Sequence, residues 1–421
     1  MISSAQHRKW IIVLLGLLTA LHPFSIDMYL PAFPAMARDL HATMSDMALS
    51  LASYFVGIAL GQLCYGPLLD RFGRKKPLAV GLVIYAMASV GCMLSHNLNE
   101  IVFWRFVVGM GGCVAYVAAY AMVRDLFLPE ERANIFALIM LVMGVSPLLA
   151  PSIGSVVTLF IGWQAIFAIL ITIALLLIIG SWCFLPETHL ADATVRLNPW
   201  RIAADYFTVV RAPAFYIYGL CGAVSFMALY VFLSGSPILF FNFFHVSTTT
   251  YGWIFTIIVA GFISASQLNI FLLRYFKNIQ ILKGALLCQG VIALFFCAMS
   301  WSGSLSLVMA VTFLFFLLAC VGVAFPNAAT LAMIPFGHNT GRASAFISFS
   351  QMFCGIVVTI IISSFSGTSM RTIGLITAVT SCLAVLILFL EQDMKKKIHR
   401  DGSEGRDKDK QRLTTKIAKG R

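Results

Sequence analysis

Two ionisable side chains stand inside long apolar runs: Asp27, in the run that begins near Trp10, and Arg105, in the run that begins near Glu100. A charge held at mid-bilayer depth costs roughly 2.5–3.5 kcal/mol even on insertion scales, so such a group points to work done on charge. A carboxylate can carry a proton. An arginine stays charged and tunes the acid near it. Low-dielectric surroundings disfavour a carboxylate and a guanidinium favours it, so an acid poised between the two can load a proton on one side and release it on the other. No Asp or Glu occurs from Tyr206 to Leu390, so carboxylate-based proton coupling must lie in the first half of the chain. His22, one turn before Asp27, is either a proton relay or a polar wall residue. The plainer alternatives are that Asp27 merely ends its run near Pro31 and that Arg105 snorkels to the headgroups.

Other chemistries find no support. No P-loop, HExxH or nucleophile elbow occurs. The ten cysteines are scattered singly, without CxxC or metal-ligand spacing. Neither a metal nor an organic cofactor is expected, and the reading is not that of an enzyme.

The elements that must position Asp27 and Arg105 follow from composition. Of 421 residues, 60% are hydrophobic and only 11% charged, against about 25% charged in ordinary soluble domains. A spanning helix needs about 20 apolar residues. Such runs fall at 10–31, 46–66, 77–95, 100–122, 133–157, 163–185, 213–235, 249–271, 280–300, 304–325, 341–364 and 372–390. The expected fold is therefore all-α and integral to the membrane, with twelve spans. A hydrophilic linker at 186–212 divides them into six-span halves, 1–185 and 213–393, followed by a basic tail at 394–421.

Lys and Arg cluster on one side of these spans. Only Arg38 and Arg371 fall on the other side and Arg105 within a span, which predicts both termini in the cytoplasm. The tail, with eleven basic and four acidic residues from Lys395 to Arg421, reads as a disordered segment resting on anionic lipid rather than a nucleic-acid binder. At 1.5 Å per residue, Asp27 and Arg105 sit at similar depths in the outer half. Asp27 shares a helical stripe with Gly16, Ala20 and Pro23; Arg105 shares one with Gly109, Gly112, Tyr116 and Tyr120. Small residues beside a buried charge suit close helix packing or a cavity wall.

Between the second and third runs lies Gly66-Pro-Leu-Leu-Asp70-Arg71-Phe-Gly73-Arg74-Lys. A glycine at each end suggests a tight turn, with basic residues anchoring it. The segment resembles the G-x-L-a-D-R-x-G-R-[RK] signature of the major facilitator superfamily. In that family the acid caps a helix of the opposite half, and a basic residue pairs with an acid at the inner end of the fourth span. The matching residues are Asp70, Arg74 and Asp125, facing Gly341-Arg342, and the implied role of Gly66, Asp70, Arg71, Gly73, Arg74 and Asp125 is a conformational latch. A topological anchor is the alternative. Gln267-Leu268 ahead of Arg274-Tyr275 and Lys277 faintly echoes the signature in the second half.

In the fifth run, Gly144, Pro147, Pro151 and Gly154 fall within about 80° of arc. This face resembles the antiporter motif of drug-exporting branches, with Ser146 where glycine is frequent and a second proline inserted; a simple kink is the alternative. Ser25-Ile-Asp27-Met-Tyr-Leu-Pro31-Ala-Phe-Pro34, with Arg105-Phe-Val-Val-Gly109 and Arg124-Asp125-Leu-Phe127, is similar to the bicyclomycin- and chloramphenicol-resistance exporters over about residues 8–392. That resemblance implies proton coupling through Asp27 and Arg105. A second acid that some relatives carry in the first span is here Thr19.

The expectation is a proton-driven antiporter of the bacterial inner membrane that exports small, partly hydrophobic, drug-like molecules and acts as a monomer. His22, Tyr54, Tyr116, Tyr120, Tyr230 and Gln351 are candidate cavity residues, with Phe226 and Phe232 as further aromatics. The rival readings are a metabolite permease, disfavoured by the charge-poor second half, and a membrane-embedded sensor or enzyme.

Overall fold

The computed structural model describes residues 5–188, 215–334, 340–365 and 369–389. The linker beyond Thr188 and the basic tail lie outside the described residues. Twelve helices long and apolar enough to cross a membrane appear where the apolar runs place them. The first half comprises α1 (Ala5–Asp27), α2 (Met44–Phe72), α3 (Lys75–Met93), α4 (Leu98–Leu126), α5 (Pro129–Phe160) and α6 (Gln164–Phe184). The second comprises α7 (Leu220–Pro237), α8 (Thr248–Leu272), α9 (Asn278–Ser302), α10 (Leu307–Met333), α11 (Thr340–Ser364) and α12 (Met370–Phe389). α7 continues at both ends into wider π-helical turns, so its span is Ile217–Phe243.

Two features differ from expectation. α1 ends at Asp27, and the chain then folds into a 3-10 turn, Leu30–Ala32, and a short helix, Phe33–Asp39. Pro31 and Pro34 fall in the first turns of these pieces, where a missing N–H leaves no helix bond unmade. Residues Leu30 to Phe33 are buried, so this cap roofs one end of the bundle. Although Asp27 closes α1, it is buried.

The second difference concerns residues 66–75, which are not one loop. α2 runs on to Phe72 and carries Gly66, Asp70 and Arg71 as helix. Gly73 alone makes the turn, at φ +84°, a region other residues rarely adopt. A side chain on Gly66 would meet nothing within 4 Å, so that glycine serves no turn.

The halves meet along two seams, α2 against α11 and α5 against α8. Near the cap, the α5–α8 seam is tight. A Cβ on Gly252 would press on Ser155 Oγ and the Pro151 carbonyl. The Thr256 hydroxyl donates to the Leu148 carbonyl at 2.9 Å. Toward the opposite end α5 and α8 diverge around a cleft of about 550 Å³, with Gly144, Leu148 and Ile263 deeper and Asn134 and Gln267 at its mouth. Along this seam, one end is closely packed and the other diverges.

Candidate functional site

The site begins with a close helix crossing. A Cβ on Gly109 of α4 would overlap the Tyr54 carbonyl of α2, and one on Gly57 would overlap the Phe106 carbonyl in return. Glycine at both positions lets α2 and α4 touch backbone to backbone. That approach brings Tyr54 over Arg105, with the guanidinium carbon 4.3 Å from the ring centre. Tyr29, just beyond the end of α1, presents a second ring, also at 4.3 Å. Arg105 is wholly buried, and each ring face is attractive to a cation.

Arg105 Nη1 donates to the Ser25 carbonyl at 3.1 Å. This carbonyl belongs to the last turn of α1, whose unpaired carbonyls carry partial negative charge. Arg105 Nε and Nη2 have no partner among the described residues. Hydrogen bonds fix the surrounding rings: the Tyr29 and Ser50 hydroxyls at 2.7 Å, and the Ser25 and Tyr85 hydroxyls at 2.6 Å. His22 Nδ1 and the Tyr54 hydroxyl are bonded at 3.1 Å, with the ring tautomer deciding which donates. The two rings also stack, 5.8 Å apart. Helices α1 to α4 thus each contribute to one polar nest around a single guanidinium.

Asp27 is 5% exposed, and its carboxylate makes no ion pair or hydrogen bond with a described residue. Asp27 and Arg105 lie within a turn of each other in height, since Arg105 reaches the Ser25 carbonyl, yet they form no ion pair. Asp27 is nevertheless within Coulombic reach of Tyr54, one of the two rings over Arg105. The backbone beside Asp27 lies against α5: a Cβ on Gly154 would overlap the Met28 carbonyl. Tyr251 of α8, hydrogen-bonded to Ser236 at 2.9 Å, is within Coulombic reach of Asp27. The antiporter-like face of α5 therefore serves two neighbours, α1 through Gly154 and α8 through Pro151, while Gly144 lines the cleft.

A second constellation lies at the end where α5 and α8 diverge. Arg74 Nε donates to Asp125 Oδ2 at 2.9 Å and Nη1 to Asp70 Oδ1 at 2.7 Å. Burial would lower the Arg74 pKa, but the hydrogen bonds and charges of Asp125 and Asp70 outweigh it and raise the value. Arg71 lies over the Phe72 ring at 5.5 Å. Gly341 and Arg342 fall within α11, with side chains outside those described. Glu187, just past α6, was not among the sequence candidates. It accepts hydrogen bonds from the backbone N–H of Arg74 at 2.7 Å and Lys75 at 3.2 Å, capping α3, while the Thr188 hydroxyl donates to Asp125 at 3.1 Å. The available signal is an acid immediately after Pro186, at the basic end of the molecule.

The candidate cavity aromatics divide into two groups. Tyr54 neighbours Phe55, which meets Tyr230 of α7 edge-on at 5.0 Å across the halves. Tyr230 neighbours Phe226 at 5.6 Å, and its hydroxyl contacts Met352 Sδ of α11 at 3.4 Å. Phe232 instead pairs with Phe255. Tyr116 and Tyr120 form a separate cluster with Phe136, Met140 and Met143. Gln351 is half-buried without a hydrogen bond to another described residue.

Comparison with known proteins fits this architecture. The family model described as Major Facilitator Superfamily matches residues 15–359. The chain is 30% identical over 396 residues to an uncharacterized MFS-type transporter of Bacillus subtilis (strain 168), covering 92% of this chain and 98% of that protein. It is 31% identical over 258 residues to a bicyclomycin resistance protein homolog of Haemophilus influenzae (strain ATCC 51907 / DSM 11121 / KW20 / Rd), covering 61% of this chain and 65% of that one. Among solved structures, a D-xylose-proton symporter superposes with TM-score 0.73 at 15% identity, over 91% of this chain and 97% of the other. At that identity the likeness is one of fold.

Proposed function

The chain belongs to the Major Facilitator Superfamily, and on that premise we propose that it is a proton-coupled antiporter exporting small, partly hydrophobic drug-like compounds across the bacterial inner membrane. It is a transporter rather than an enzyme. The relative named for bicyclomycin resistance supports the substrate class. The observation that carries the coupling is the placement of Asp27: buried, without an ion pair or hydrogen bond among the described residues, beside the α5 contact, and two residues from the carbonyl that engages Arg105.

An unpaired carboxylate in low dielectric is costly, and proton uptake removes the charge. Rocking of the halves moves α8, which carries Tyr251 within Coulombic reach of Asp27, and so alters the surroundings of the carboxylate. The Arg105 nest holds a fixed positive charge nearby in every state. In this reading the Arg74 end, with both termini, faces the cytoplasm, and the cleft between α5 and α8 is inward-open. Drug enters there and meets the Phe55–Tyr230–Phe226 aromatics, apolar walls with few polar contacts. The Arg74–Asp125–Asp70 cluster, braced by Glu187, serves as the conformational latch. No cofactor is invoked; the proton gradient supplies the energy, and the protein acts as a monomer.

The test is transport of labelled compounds into inverted membrane vesicles under an imposed pH gradient. Uptake that follows the gradient and collapses with a protonophore is expected. Uptake indifferent to the gradient, or confined to sugars or amino acids, overturns the reading.

A further inference from the structure

Away from the seams, the second half carries a larger groove of about 1010 Å³ between α8, α9 and α10. Ala265, Gly284 and Ala319 line it with little side-chain bulk, and Leu268 and Phe316 stand half-exposed along it. A Cβ on Gly284 would meet nothing within 4 Å, so the space is open there. The groove lies on the outside of the bundle, where the surrounding helix surfaces are apolar.

One end of the groove is strongly basic. Arg274 and Lys277 occupy the turn from α8 to α9. Neither joins an ion pair among the described residues, and the sequence has no acid from Tyr206 to Leu390 to offer one. Lys277 heads the stripe Lys277, Ile281, Gly284, Cys288, spaced four, three and four, whose last three members line the groove. The N-terminus of the 25-residue α9 adds partial positive charge at the same place.

An apolar slot ending in cations with no acid partner among the described residues is complementary to an amphiphile with an anionic head. We propose that this groove binds an anionic glycerophospholipid, its phosphate held by Arg274 and Lys277 and an acyl chain laid along Gly284 and Cys288. A second copy of the chain fits less well, because it would bring another uncompensated basic turn to the same rim.

The test uses the purified full chain in detergent, titrated with dioleoylphosphatidylglycerol or dioleoylphosphatidylcholine, with retained lipid counted by native mass spectrometry. Phosphatidylglycerol should be retained in preference. Arg274→Gln and Lys277→Gln should each weaken its retention by about fivefold, as expected for one basic residue near an anionic head. Gly284→Leu, whose Cβ enters open space and whose branch fills the slot, should weaken retention at unchanged melting temperature. Lys76→Gln, on the first half, should bind as wild type. Equal retention of the two lipids, wild-type binding by the Arg274, Lys277 and Gly284 variants, or a dimer in light scattering that Gly284→Leu dissociates would each overturn the proposal. Lipid retention is read without transport, so its failure leaves the export reading standing.

Discussion

Gly154 of α5 lies so close to Met28 that a single methyl group on the glycine would overlap the Met28 carbonyl. The contact sits one residue past Asp27, and it joins the antiporter-like face of α5 to the carboxylate proposed to carry the proton.

Gly154→Ala should therefore impair export, because overpacking at a backbone contact costs about 1–3 kcal/mol and here displaces the chain beside Asp27. Gly144→Ala is the control: the nearest atom to its added Cβ is 3.7 Å away. Initial rates in inverted vesicles at matched expression should fall for the first variant and stay near wild type for the second. Equal rates would remove Gly154 from the mechanism.

Asp27→Asn should abolish export driven by a pH gradient while keeping substrate binding, since the amide preserves shape but binds no proton in this range. Reconstituted protein and a binding assay on the same preparation separate the two properties. Active efflux by the variant, still abolished by a protonophore, would assign the proton to another group, with His22 next.

At Arg105, charge and shape can be varied separately. Arg105→Lys keeps the cation but loses the planar group held between Tyr29 and Tyr54, each cation–π contact being worth about 0.5–2 kcal/mol. Partial coupling is expected for Lys and none for Ala. Tyr54→Phe keeps the ring face and loses only the hydroxyl, with its bonds to His22 and Ser25, so it should transport well, whereas Tyr54→Leu should not. Failure of Tyr54→Phe would promote His22 from wall residue to relay.

In the Arg74 cluster, exposure sets the order of effects. The Asp70 side chain is 53% exposed and that of Asp125 21%, and exposed ion pairs contribute little. Asp125→Asn should lower the melting temperature more than Asp70→Asn, and Asp70→Asn should slow transport with the fold intact. Glu187→Ala, which removes the cap of α3, should cost about 1 kcal/mol. A Glu187→Ala protein as stable and as active as wild type would reduce that bond to an accident of the turn.

Span positions were legible in the sequence because apolar run length reports directly on bilayer thickness, and Asp27 and Arg105 stood out because charge in such runs is rare. Their failure to form an ion pair was not legible: depth follows from residue counting, but azimuth depends on how helices rotate against one another, here on Gly109 meeting Tyr54 and on Gly154 meeting Met28. The partners of Arg105 were hidden for the same reason, since Tyr29 and Tyr54 resemble any other aromatic in an apolar run. Gly66 misled because a glycine ahead of a turn looks like part of it, although Pro67 and Leu68 continue the helix. Glu187 escaped notice because its role as a cap depends on α6 ending beside the turn at Gly73, a tertiary fact.

The α5–α8 seam is held near the cap by glycine contacts and hydroxyl hydrogen bonds such as Thr256 to Leu148, and no ion pair crosses between the halves among the described residues. Parting such surfaces strands no buried charge and requires none to be rehydrated. Neither arrangement of the halves is then strongly favoured by the seam itself, and the direction of the cycle falls to differential affinity: whichever occupant, proton or cargo, binds one arrangement more tightly sets the population.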